Sequence, residues 1–349
     1  MAKINVRSPY FINLSNTNLT SAKLEIEIYL GEANTDWQDS PQYTLVSTAI
    51  NEKINFEIAE LIADYITALF NGTFPTPAVS SSEATTVNVD YKITETIGTV
   101  SQTPVETLGD RAFYAYGYFE EGANPALDNY VLQSNLRILK NTNETVTIPV
   151  DNTLATFLDW KYQGATVSTV AITTQADIED QITYVTNTGN FDVDQAVIAD
   201  GATSTTIDIT SYDKCKYSPY KLTFINKFGA YQEIWMFGNS KLKMSTTQDN
   251  YKSNILTNGT YEINDPQIKT LTKNAKQRLT LNSDFYPERY NQIFKQLFLS
   301  ESVWIYYGGQ TLGVNIDSKS FNYKTSLTEG LINYSINVSF AFDTINNIR

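Results

Sequence analysis

Short runs in which apolar and polar side chains alternate recur along the whole chain, and that two-residue period constrains the fold more than any other feature. A strand sends successive side chains to opposite faces, so such alternation builds half-buried sheets. It is clear in "SAKLEIEIYLG", where Leu24, Ile26, Ile28 and Leu30 alternate with Glu25, Glu27 and Tyr29, and it returns in "QYTLVSTAI", "TVNVDYKITETI", "RAFYAYGYFE" and "ETVTIPV". Frequent Thr, Val, Ile and Tyr fit the same reading, because β-branched and aromatic side chains suit a pleated surface. The expectation is a mainly β protein of two or three β-sandwich-like domains. With 349 residues the chain can bury separate cores without disulfides or metals.

Two stretches break the alternation and predict one short amphipathic helix near each end. In "NFEIAELIADYITALFNG", Phe56, Ala59, Leu61, Ile62, Tyr65, Ile66 and Leu69 recur at three- and four-residue steps, with Asn55 as cap and Gly72 past the end, a helix near 55–71. In "PERYNQIFKQLFLS", Pro287 opens a helix over 287–299 whose face carries Tyr290, Ile293, Phe294, Leu297 and Phe298. Charge divides the chain further. Residues 1–213 hold 9 basic and 28 acidic side chains, whereas 214–349 hold 16 and 10. We therefore expect an acidic β-rich domain over 1–150, an acidic β-rich middle domain or insertion over 151–213, and a basic β-rich domain over 214–349. Strands of the last are expected at "GTYEI", "IKTLT", "QRLTLN", "SVWIYYGG", "KSFNYKTSL" and "INYSINVSFAF".

The basic block begins with "YKLTFINKFGAYQEIWMFG", two strands joined by a turn at "NKFG". Tyr220, Leu222 and Phe224 share one face and Thr223 and Ile225 the other; in the second strand Tyr231, Trp235 and Phe237 oppose Ile234 and Met236. Both faces carry large apolar groups, so the second must be covered by another sheet or another chain. Phe224, Tyr231, Trp235, Phe237 and Trp304 are therefore interface candidates.

The chain has no histidine, which closes the Ser-His-Asp and Cys-His schemes and the usual zinc and non-haem iron sites. Carboxylate-pair chemistry remains open. Its candidates are Glu120 and Glu121, Asp192 and Asp194, and Asp177, Glu179 and Asp180. Neighbours on one loop do not supply two carboxyls on separate walls of a cleft, so they read as solvated charge. Asp192, Asp194 and Asp200 could ligate calcium, but their spacing is not that of an EF-hand loop. Tyr114, Tyr116 and Tyr118 would project from one strand face, either as a sugar-stacking platform or as contact area for a neighbouring subunit. Lys269, Lys273, Lys276 and Arg278 form the densest basic cluster; without interleaved aromatics it suits an acidic protein surface better than nucleic acid. A net charge of −13 speaks against DNA or RNA as main partner. No phosphate loop, dinucleotide fingerprint or paired-cysteine motif occurs, so no cofactor is expected. The lone Cys215 excludes an internal disulfide, and no apolar run is long enough for a signal peptide or a membrane span.

The segment from Leu281 to Arg349, together with "KLTFINKFGAYQEIWMF", "SAKLEIEIYLG" and "PQYTLVSTAI", resembles virion structural proteins of tailed bacteriophages infecting Bacteroidota, the crAss-like group included. The resemblance is one of pattern and contains no catalytic signature. It implies a non-enzymatic component of the tail, baseplate or head-tail connector, found in the virion and assembled in the host cytoplasm. Its partners would be copies of itself in a ring and adjacent virion proteins, with no membrane contact and with DNA contact only through a ring lumen. A different class of reading is a glycan-binding or glycan-cleaving receptor protein using the Tyr114, Tyr116 and Tyr118 face.

Overall fold

The computed structural model describes residues 2–31, 33–74, 85–117, 123–124, 129–172, 182–188, 192–213, 216–318, 322 and 330–345. It is mainly β, with several sheets, two short α-helices and β-sandwich-like layering. The chain divides into two compact units. The first contains Met1–Asp213, Thr223–Ile234 and Gln292–Ser302; the second contains Lys214–Leu222, Trp235–Asn291 and Val303–Arg349. The backbone thus passes from one unit to the other at five points.

The first unit has two sandwich-like halves. In one, the strands Lys3–Asn5, Val105–Phe113, Thr86–Ile97, Leu19–Tyr29 and Tyr43–Thr48 lie side by side in that order, with Val100–Ser101 on Thr86–Ile97. Alternation works as read: Leu24, Ile26 and Ile28 are buried, although Leu30 is exposed beyond the strand end. A two-stranded ladder of Phe11–Ser15 and Lys53–Glu57 covers this core with Ile12, Ile54 and Phe56.

That ladder explains the first departure from expectation. Helical spacing predicted a helix from residue 55 onward, but Lys53–Glu57 also alternates. The distant Phe11–Ser15 strand claims it, pairing Phe56 with Ile12 and Asn55 with Asn13. The helix is confined to Ala59–Ala63 and buries Ala59 and Ile62. Beyond it, Tyr65 N–H and Ile66 N–H reach back only three residues, to Ile62 and Ala63. Tyr65 and Leu69 are accordingly exposed.

In the other half, Ala165–Ala171, Phe157–Tyr162, Gln195–Ala199, Ser204–Tyr212 and Arg137–Asn141 form a five-stranded sheet. The ladder of Thr147–Asp151 and Ile182–Thr186 packs Ile148, Val150 and Val185 against its Leu158, Trp160, Ile198 and Ile207. A third cluster, Phe113, Ala115, Leu132, Ile182, Phe228 and Ala230, lies within this unit as well. Its Phe228 and Ala230 come from the turn at "NKFG". There Asn226, fully buried, accepts from Phe228 N–H at 2.9 Å through its side-chain oxygen and donates to Leu132 O at 2.7 Å.

The second unit is organised on a seven-stranded sheet in the order Tyr231–Met236, Tyr220–Ile225, Val303–Tyr307, Gln310–Ile316, Ser335–Phe340, Ile268–Asn282 and Lys241–Lys252. The tip of the opening hairpin, Thr223–Ile234, is counted with the first unit. "IKTLT" and "QRLTLN", expected as two strands, are one strand of 15 residues. "GTYEI" forms no strand: its Gly259 and Thr260 end a tight turn bridged between Thr257 and Thr260. Most of "KSFNYKTSL" falls outside the described residues. The second helix forms as expected, with its 3₁₀ lead-in Glu288–Tyr290 in the second unit and all but the first residue of Asn291–Leu299 in the first; Tyr290, Ile293, Phe294 and Leu297 are buried.

Candidate functional site

The hairpin aromatics are not a surface for a second copy. Phe224, Tyr231, Trp235, Phe237 and Trp304 are all at most 7% exposed within the isolated chain. In the first unit, Tyr231 packs on Phe70 at 5.2 Å and donates its hydroxyl to Leu69 O at 3.0 Å. In the second, Phe237 lies 6.1 Å from Tyr286, whose hydroxyl donates to Trp235 O. The second face of the hairpin is covered from within. Both-faced aromaticity marks a two-sided core element, which looks the same in sequence as an interface strand.

Tyr114 and Tyr116 are not alternating members of a strand. The strand ends at Phe113, and Tyr114 N–H and Tyr116 N–H go to Thr85 O and Lys227 O. The Arg7 guanidinium lies over both rings, 5.4 and 5.2 Å from their centroids, and pairs with Glu301 at 3.0 Å. The Tyr114 hydroxyl donates to the same Glu301 carboxylate. Burial and then Glu301 push Tyr114 up to about 12, so it stays a neutral donor. Tyr118 lies outside the described residues.

The acidic candidates do not converge. Asp200 caps its own turn, accepting from Thr203 N–H at 2.6 Å and Ala202 N–H at 2.9 Å, and these bonds hold its carboxyl below the usual range. Asp194 accepts from Gln163 N–H at 2.8 Å. Glu120, Glu121, Asp177, Glu179 and Asp180, like Cys215, lie outside the described residues. Among the described residues no group of three acidic or cysteine side chains is placed to hold a metal ion. No helix there is long and apolar enough to cross a membrane.

What stands out instead is an arm in the second unit. Lys241–Lys252 pairs with Ile268–Asn282 in an antiparallel ladder, forming the last strand of the sheet. All 12 of its residues are exposed. At about 3.3 Å per residue the ladder runs for roughly 40 Å. Only Ala275, Leu279 and Leu281 of the inner strand are buried, and Ser335–Phe340 covers just Arg278–Asn282. Further out, the segment near the chain end borders the arm: Thr344 N–H donates to Ala275 O at 2.8 Å and Asn274 donates to Asp343 at 2.9 Å.

The arm's register sorts its side chains. Lys241, Lys243, Lys276 and Arg278 share one face, and Lys243 stands directly opposite Arg278. Leu242 and Met244 share the other face with Lys273. A bulge at Leu271, between the pairs Asp249–Thr272 and Asn250–Thr270, returns Lys269 to the first face, where it pairs with Asp265 at 3.0 Å. The basic cluster read from sequence is thus split between faces and joined by Lys241 and Lys243, which spacing alone did not bring to it. Large apolar groups are bare as well: Leu242, Met244 and Tyr251 on the outer strand, Leu256, Tyr261 and Ile263 at the tip, and Ile268 and Leu271 on the way back. Edge lysines guard an exposed strand against indiscriminate pairing. They do not explain eight large apolar side chains left in water. The outer strand escaped sequence reading because "STTQDN" has no apolar members; the signal that could have found it is "KLKM" alternating into Ser-Thr-Thr opposite a second basic run.

No protein-family model matches the chain, and no match is found among curated proteins.

Proposed function

We propose that this protein is a non-enzymatic structural component of a tailed-phage virion, built into an oligomeric ring of the tail, baseplate or head-tail connector through contacts between subunits. One observation carries the reading: the two-stranded arm Lys241–Asn282, whose outer strand is exposed along its whole length and which combines a basic row with bare apolar residues. A ladder without a core beneath it gains little stability of its own. It becomes fully useful when a second surface covers it. A heterologous contact, with one subunit's arm on a different patch of the next, closes into a ring when the rotation between copies permits. Charge favours that polarity, because the arm is net positive while residues 1–213 carry an excess of 19 negative charges (28 acidic, 9 basic).

The test is sedimentation velocity and electron microscopy of purified protein, beside a variant in which 244–277 is replaced by a two-residue Asn-Gly turn. The intact chain is expected to form rings and the shortened chain to stay a folded monomer. A monomeric intact chain at high concentration, or rings formed equally well without the arm, overturns the proposal.

A further inference from the structure

A cleft of about 420 Å³ opens in the first unit between Asn129–Leu136, Thr205, the hairpin turn and the start of the second helix. Lys227 reaches into it. The backbone of that residue is pinned: its N–H donates to Gln296 at 3.1 Å and its carbonyl accepts from Tyr116 N–H at 2.9 Å. Its ammonium lies 4.6 Å from the centroid of the buried Phe228 ring. Among the described residues no carboxylate pairs with it, and burial alone lowers its proton affinity. Acidic side chains outnumber basic ones by 38 to 25, yet among the described residues this half-buried cation faces an open cleft with no acidic side chain in its lining.

The remaining lining says what the missing charge belongs to. Asn129 and Gln292 present exposed amides that make no internal hydrogen bond. Tyr130 and Thr205 bond to each other through their hydroxyls, and Ser134 already accepts from Gln296 at 2.7 Å. Val131, Leu136 and Phe228 add apolar wall. A single ammonium matches a monoanion. A phosphate dianion calls for an arginine fork, and no arginine is among the described residues that line this cleft. Amides that both donate and accept suit hydroxyl groups. The volume is within the range of small-ligand sites.

We propose that this cleft binds a carboxylate-bearing sugar residue, with Lys227 Nζ holding the carboxylate and the Asn129 and Gln292 amides holding ring hydroxyls. The proposal stands independently of the assembly reading. Saturation-transfer NMR and calorimetry with D-glucuronate and D-glucose test it, since the two differ only in replacement of CH₂OH by a carboxylate. Glucuronate should bind saturably, and glucose at least about tenfold more weakly, the value of one charge-assisted hydrogen bond. Lys227→Met keeps the contact with Phe228 and should cost glucuronate binding by a similar factor. Should that variant misfold, Asn129→Ala and Gln292→Ala, both at exposed positions, should each weaken binding in the folded protein. Equal affinity for glucose, unchanged binding in Lys227→Met, or no binding of glucuronate at tens of millimolar overturns the proposal. So does a change of oligomeric state as the sole effect of Lys227→Met, which would make the natural carboxylate a side chain of another copy.

Discussion

Lys243→Glu separates the fold of the arm from its use. Lys243 and Arg278 are directly opposed across the ladder, with Lys241 and Lys276 on the same face. Like charges in opposed positions destabilise a sheet and opposite charges stabilise it, each by roughly 0.2–1 kcal/mol. At a solvated site screened by salt the lower half of that range applies. Arg278 already engages Asp317 at 3.2 Å, which trims the gain further. Replacing repulsion by attraction should therefore stabilise the second unit by about 0.5 kcal/mol, a rise in melting temperature of roughly 2 °C for a unit of this size. Assembly should respond in the opposite sense, because the basic row loses two units of positive charge. Differential scanning fluorimetry reads the first effect and sedimentation velocity at low and moderate salt the second. A variant that assembles as well as wild type refutes the role given to the basic row. A fall in melting temperature of several degrees refutes the register from which the magnitude was worked.

Other outcomes follow from burial and backbone geometry. Trp235→Ala and Phe224→Ala should each cost about 3–5 kcal/mol of subunit stability, seen as an earlier denaturant midpoint whatever the oligomeric state; a change in assembly with an unchanged midpoint would contradict the placement of these rings in the core. Gly229→Ala should destabilise by more than about 1 kcal/mol, since Gly229 has φ of +78° and a Cβ there would sit 3.2 Å from Tyr114 backbone atoms; an unchanged melt would refute the close approach. Burial, reinforced by the nearby Asp90 charge, raises the Asp110 carboxyl. The folded state then holds that proton more tightly than the unfolded state, so the charged form penalises stability increasingly as pH climbs from the ordinary carboxylate value through the raised one. Asp110→Asn, which keeps the acceptor for Ala2 N–H, should be more stable than wild type at neutral pH and lose the advantage as pH falls through the raised value to the ordinary carboxylate value; a constant offset across that window would contradict it.

Much of the architecture could be read from side-chain period. Leu24, Ile26 and Ile28 lie buried where alternation put them, and Ile293, Phe294 and Leu297 form the expected helical stripe. The failures share a cause. Phe56 fits both a helix stripe and an alternating strand, and only a partner some 40 residues away, Phe11–Ser15, decides between them. Trp235 and Phe237 look like interface residues because sequence shows that a face is apolar but not what covers it. The arm was hardest to see: its outer strand has no buried side, so it carries no hydrophobic rhythm. The cleft at Lys227 was equally hidden, since residues near 130, 205, 227 and 292 meet only after folding.

The five passages of the backbone between the two units bear on how the protein can be divided. A fragment ending at Asp213 would lack Phe228 and Ala230, and with them a third of the residues of one core cluster, as well as the Gln292–Ser302 segment. Neither unit can be excised as one continuous piece. One break in the backbone cannot separate them, because the chain crosses between the two five times.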